Sequence, residues 1–186
     1  MDEYELNLNR RIHTPLIDGI LKGDFHVVSQ LLQAGSDLNE ANDFGITPLM
    51  FASGEGKEAI AELLIKSKAD MNRQDMNGYS ALMHACEENH HSVIQLLLNS
   101  GADVDLIDRE GKDVITQTIS HLYHVKNEDS RSRIIYTIHI LLNSLKNVYN
   151  KSFNVSNYIK EKFRHYNEYD SMIHSILTGM ESYSPE

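Results

Sequence analysis

The chain has 186 residues, enough for one domain with a real core, and its 41% apolar and 24% charged residues are ordinary for a globular protein. Residues 1–125 hold 9 Lys+Arg against 20 Asp+Glu, whereas residues 126–186 hold 8 against 7, so the first two-thirds carries all of the net negative charge. Such a surface repels phosphate backbones and anionic lipid, which excludes nucleic acid and membranes as expected partners. No apolar run is long enough to cross a bilayer. The acidic start, Met1-Asp2-Glu3-Tyr4-Glu5, lacks the layout of a secretory signal, and the single cysteine, Cys86, excludes an internal disulfide framework. A reducing, cytoplasmic setting is expected.

A period of 33 residues organises the chain from its start. Thr14-Pro15 recurs as Thr47-Pro48, then as Ser80-Ala81 and Asp113-Val114. The following position reads Leu16, Leu49, Leu82 and Ile115. Gly45, Gly78 and Gly111 keep the same step, as do Asn42, Asp75 and Asp108. Leu31-Leu32 aligns with Leu64-Ile65 and Leu97-Leu98.

Each unit has a physical reading. Thr14, Thr47, Ser80 and Asp113 are N-cap residues whose side-chain oxygen accepts an orphan helix N–H. Pro15 and Pro48 follow at the first helical position, where a missing N–H costs nothing. Gly23 and Gly56 end this helix in the left-handed conformation, with Asn89 in the same place in the third unit. A second helix follows, apolar at Val27, Val28, Leu31 and Leu32, one face of a 3.6-residue period. Gly35 and Gly101 stop it. Lys68 stands at that position in the second unit, at some local cost. The segment before each next cap, Asp-x-x-Gly-like, reads as a turn. Two short helices cannot bury both their faces alone, so the units must stack.

The best units read Asn42-Asp43-Phe44-Gly45-Ile46-Thr47-Pro48-Leu49-Met50-Phe51-Ala52 and Asp75-Met76-Asn77-Gly78-Tyr79-Ser80-Ala81-Leu82-Met83-His84-Ala85. Over residues 9–120 the chain resembles an ankyrin-repeat protein. The resemblance implies an all-α solenoid of stacked helix-turn-helix units with β-hairpin-like loops and a helical C-terminal cap. Its units fall near 9–41, 42–74, 75–107 and 108–142, with residues 1–125 forming the repeats. Met50 and Met83 stand where the family has His, which removes a hydrogen bond the family makes between neighbouring turns. Ile12 replaces a turn glycine in the first unit, read as the N-terminal cap. Asn39 and Asn72 match the family's loop asparagine, a site of hydroxylation.

The repeat decays after Asp108. Val114, Ile115, Ile119 and Leu122 continue an apolar face, but no Gly follows, and the helix is expected to run through Val125. Residues 126–133 are polar and read as an enlarged inter-helix loop, an insertion of 11 residues judged by the 44-residue spacing of Leu98 and Leu142. Residues 134–142 resemble the second helix. Residues 143–186 lose the signature; helices over 155–163 and 172–179 are expected to form a degenerate cap or extension.

Little chemistry is available. Cys86 falls where the repeat buries small residues, which points to packing rather than a nucleophile. His121 and His124 share a helix face and His90-His91 are adjacent, but zinc needs three or four ligands and no second pair is suitably spaced. These read as surface polar groups. No phosphate loop, Gly-x-Ser-x-Gly elbow or His-Glu-x-x-His is present. No cofactor, metal or catalytic residue is expected.

The resemblance implies a protein-binding concave surface built from loop tips and first helices. The matching positions are Arg10, Arg11 and His13; Asp43, Phe44, Ile46 and Glu55; Met76, Asn77, Tyr79, Glu87 and Glu88; and Arg109, Glu110 and Lys112. Phe44, Ile46, Met76 and Tyr79 are apolar or aromatic where the repeat leaves side chains solvated, so they are expected to form the contact patch. The leading expectation is a monomeric, non-catalytic adaptor for another protein. Two alternatives are an effector of an intracellular bacterium that binds a host protein, and an enzyme or metal site in the C-terminal extension.

Overall fold

The computed structural model describes residues 14–149 and residue 158. Among these the chain forms eight helices: α1 (Pro15–Leu21), α2 (Phe25–Gln33), α3 (Pro48–Gly54), α4 (Glu58–Lys66), α5 (Ala81–Glu87), α6 (His91–Asn99), α7 (Val114–His124) and α8 (Glu128–Tyr149). None of them is long and apolar enough to cross a membrane. The first helices α1, α3, α5 and α7 pack in chain order as one layer. The second helices α2, α4, α6 and α8 do the same as another, and each pair is joined within its own unit.

The caps expected from the 33-residue step all form. The Thr14, Thr47 and Ser80 hydroxyls each accept a backbone N–H three residues on at 3.3 Å, and the Asp113 carboxylate accepts that of Thr116 at 2.8 Å. Met50 takes part in its own cap. Its thioether sulfur accepts the Thr47 backbone N–H at 3.3 Å, closing a capping box with a sulfur in place of a carboxylate. The exchange of His for Met at this position therefore keeps a local partner for the N-cap amide.

The helix stops also form where expected. Gly23 and Gly56 are left-handed at φ 65° and 63°, and Asn89 takes φ 56°. Gly35 and Gly101 lie at φ 87° and 90°, and Lys68 is forced to φ 73°. A side chain with a β-carbon pays about 1–2 kcal/mol for that conformation.

The core is the seam between layers. Leu16, Leu49, Leu82 and Ile115, one step apart, are each 1% exposed. Ile60, Ala61 and Leu64 of α4 and Val93, Ile94 and Leu97 of α6 are buried in the same way. The first unit differs: Val27, the counterpart of Ile60 and Val93, is 38% exposed, and Phe25 is also exposed. The face expected from Val27, Val28, Leu31 and Leu32 is fully buried only at Val28.

The largest correction concerns the expected loop over 126–133. The connection is only residues 125–127, and α8 starts at Glu128. Asn127 caps it, its side chain accepting the Asp129 and Ser130 amides at 2.9 and 3.1 Å. Arg131 reaches back to the Leu122 and Val125 carbonyls at 3.4 and 3.1 Å, closing the end of α7. The polar residues are thus the solvent-facing first turns of a 22-residue helix, and burial begins at Ile134. The extra length goes into helix: α7 has 11 residues where α3 and α5 have 7. Helix α8 also continues across position 143 to Tyr149, and Tyr158 is helical and packs on the core. The helices expected at 155–163 (Tyr158 apart) and 172–179, and the start of the first unit at residues 9–13, lie outside the described residues.

Leu64→Ala and Leu97→Ala are each expected to lose about 2–5 kcal/mol in urea unfolding, as buried cavities. Lys68→Gly is expected to gain up to about 1 kcal/mol by relieving the left-handed strain, read as a higher melting temperature.

Candidate interaction surface

Between units, three fingers project from the chain at residues 42–46, 75–79 and 108–112. Each is held by one side-chain oxygen at its base. Asn42 Oδ1 accepts the Phe44 and Ile46 amides, both at 3.0 Å. Asp75 Oδ1 accepts those of Asn77 and Tyr79 at 2.7 and 2.9 Å, and Asp108 Oδ1 those of Glu110 and Lys112 at 2.8 and 2.9 Å. A backbone bond then closes each turn, from Asn42 to Ile46, Asp75 to Tyr79 and Asp108 to Lys112.

The fingers are also tied to each other. The Met76 amide donates to the Phe44 carbonyl and the Arg109 amide to the Asn77 carbonyl, both at 2.9 Å. This approach needs glycine. A β-carbon at Gly78 would fall 2.8 Å from the Asp108 α-carbon, and one at Gly45 would fall 3.1 Å from that of Asp75. Both also sit near φ 80°. At the other end of each loop, Asn39 Oδ1 accepts the Asp70 amide and Asn72 Oδ1 the Asp103 amide, at 2.9 and 3.0 Å. These asparagines link successive units.

The expected contact residues divide by position. Asp43, Phe44, Met76, Asn77, Arg109 and Glu110 are exposed finger tips, with Phe44 53% and Met76 49% exposed. Glu55, Glu87 and Glu88 are exposed at the ends of α3 and α5. Ile46 and Tyr79 are not solvated: both are half-buried and pack on the core. Each lies just before an N-cap, where a side chain folds back onto the first turn of the helix. Tyr79 does so against His84, ring centroids 5.6 Å apart and edge-on. Lys112 is half-buried and bonded to Glu110 at 2.7 Å, which holds the Glu110 carboxyl below its usual range. Arg10, Arg11 and His13 lie outside the described residues.

The geometry gathers the third and fourth units into a groove. A cavity of about 400 Å³ is lined by Asn77, Tyr79, His84 and Glu87 on one side and Asp108, Arg109 and Glu110 on the other. A second, of about 230 Å³, shares Tyr79 and Glu87 and continues along Gln117, Ser120, His121 and His124 of α7. His84, Asp108, Gln117, Ser120, His121 and His124 were not among the expected contacts. For two of them the signal was available, because Ser120 and His121 stand one 33-residue step after Glu87 and Glu88; His124 joins them only through the length of α7. His84 also bonds Asp75 Oδ2 at 3.1 Å.

A family model described as ankyrin repeats (3 copies) matches residues 14–108. The chain belongs to the ankyrin-repeat family. No curated protein matches it. Ankyrin repeats generally mediate binding between proteins. Chemistry is otherwise sparse. Cys86 is buried in α5, and that burial pushes its thiol up, against a weaker opposing bond from Thr118, so the nucleophilic thiolate does not form near neutral pH. No group of three or more His, Cys, Asp and Glu among the described residues could hold a metal.

One polar node fastens α8 to the ankyrin units. His91 Nε2–H donates to the Arg133 carbonyl at 3.2 Å and to Thr137 Oγ1 at 3.1 Å; the Thr137 hydroxyl donates to Asn89 Oδ1 at 2.9 Å. Tyr136 meets the His91 ring edge-on at 4.7 Å. Burial holds the His91 pKa below its ordinary value, helped by the positive charges of Arg133 and His90 and opposed by the Arg133 carbonyl. The unfolded chain therefore binds this proton more readily than the folded one. The node's full contribution is present above about pH 6.5 and is lost as the pH falls through the lower folded value. Urea midpoints measured from about pH 7 to 5 are expected to fall less steeply in His91→Gln than in the unaltered protein.

Proposed function

We propose that the protein is a non-catalytic adaptor module that holds a protein partner against its fingers and first helices. The observation that carries this reading is the pair of adjoining finger tips. Phe44 and Met76 are about half exposed on neighbouring fingers that share a backbone hydrogen bond. Large apolar side chains on a pre-ordered backbone lose little conformational freedom on binding, which favours affinity. The alternating charges of Asp43, Arg109 and Glu110 beside them supply a polar rim.

The buried thiol and the family's usual lack of catalysis support the non-catalytic part of the reading. The acidic balance of residues 1–125 supports a protein partner over nucleic acid.

Phe44→Ala combined with Met76→Ala is expected to abolish capture of the partner from a native lysate, while leaving the melting temperature nearly unchanged, because neither side chain is buried. Undiminished capture by the double variant would overturn the finger-tip reading.

A further inference from the structure

The fourth unit alters the finger face in a way the others do not. Helices α3 and α5 stop after 7 residues, whereas α7 continues for 11, to His124. The added turn carries His121 and His124 along the edge of the smaller cavity, which meets the larger one at Tyr79 and Glu87. The larger cavity lies between α5 and the finger at 108–112 and the smaller between α5 and α7; they adjoin at Tyr79 and Glu87, an aromatic ring and a carboxylate.

Carboxylates outnumber cations in the groove, with Glu87, Asp108 and Glu110 against Arg109 and Lys112. The Tyr79 hydroxyl has its pKa raised first by burial and then, against a bond from Gln117, by the negative charges of Glu87, Asp108 and Glu110. Two cations are also present. Lys112 is held by Glu110, and Arg109 lines the larger cavity. No ion pair among the described residues engages Glu87 or its exposed neighbour Glu88. Asp108 is fixed by the two finger amides it accepts, so its charge cannot swing away from the groove.

We infer that this groove receives a basic segment of the protein partner, with an arginine or lysine side chain seated in the larger cavity beside Tyr79 and within the field of Glu87 and Asp108. A half-enclosed cation gains more from these carboxylates than one in open water. A cavity of about 400 Å³ has room for such a side chain. An apolar segment would strip water from Glu87 without replacing its hydrogen bonds. An acidic segment would meet three carboxylates against Arg109 and a Lys112 already paired with Glu110. The groove has this role only if the finger face binds protein, as read above.

The test uses the full chain and a fluorescein-labelled hexa-arginine peptide, followed by anisotropy at about 150 mM salt. Glu87→Gln combined with Glu110→Gln removes two groove charges. Glu58→Gln combined with Glu62→Gln removes two from exposed positions on α4 and serves as the charge-matched control. The groove variant is expected to bind about five- to tenfold more weakly than the unaltered protein, the scale of two partly exposed ion pairs, and the control less than about twofold. Equal weakening by both variants would overturn the inference as general attraction to an acidic protein. So would an absence of binding, or tighter binding of a hexa-glutamate peptide. None of these results touches the Phe44 and Met76 capture experiment, so the groove and the finger-tip reading fail separately.

Discussion

No unit of this protein buries its own apolar face; each is completed by the next. That mutual dependence governs everything else in the structure. A pair of helices with 7 and 9 residues, such as α3 and α4, is too short to persist alone in water. Side by side, the same helices hide Leu49, Leu64, Leu82 and Leu97 almost completely. The burial exists only while the register between units is kept, and the fingers keep it. Gly45 and Gly78 let one finger's backbone touch the next, and Asn39 and Asn72 fasten the loops at the other end. A set of polar bonds at the edges thus fixes the alignment of an apolar seam at the centre.

The same devices leave the edges pre-ordered for the binding proposed above. A finger whose amides are held by Asp75 or Asp108 has little freedom left to lose when a partner arrives. The rigid frame leaves the tips free to vary in chemistry. In this chain the first and second fingers present the apolar tips Phe44 and Met76, while the third and fourth units enclose a carboxylate-rich groove. Helix α8 is joined to this frame through apolar contacts and through the His91, Thr137 and Asn89 node, which makes the third unit its anchor.

Much of this was legible in the sequence because it follows local rules that repeat in phase. A hydroxyl before a helix is a cap wherever it stands, so Thr14, Thr47 and Ser80 were readable. Glycine, or Asn89 and Lys68 in its place, marked each left-handed stop. What escaped depended on neighbours. Tyr79 and Ile46 looked like tip residues, yet their position beside an N-cap folds them onto the helix. The polar stretch from Lys126 looked like a loop, because the exposed first turns of a helix and a loop have the same composition. Asn127 was the overlooked cue, a cap residue directly before Glu128 and Asp129. The far end of the smaller cavity was hidden for a different reason: His121 and His124 line it from the added turn of α7, and that turn has no counterpart in α3 or α5.

The account predicts that the finger bonds are as durable as the helices they align. Native-state hydrogen exchange of the Met76 and Arg109 backbone amides tests this most directly. Both amides lie at the surface, so their protection depends on the finger-to-finger bonds to Phe44 and Asn77. Protection close to that of the α5 amides would show that seam and fingers open together as one body. Exchange at the rate of an unstructured loop, with α5 still protected, would contradict the claim that the fingers hold the stack in register.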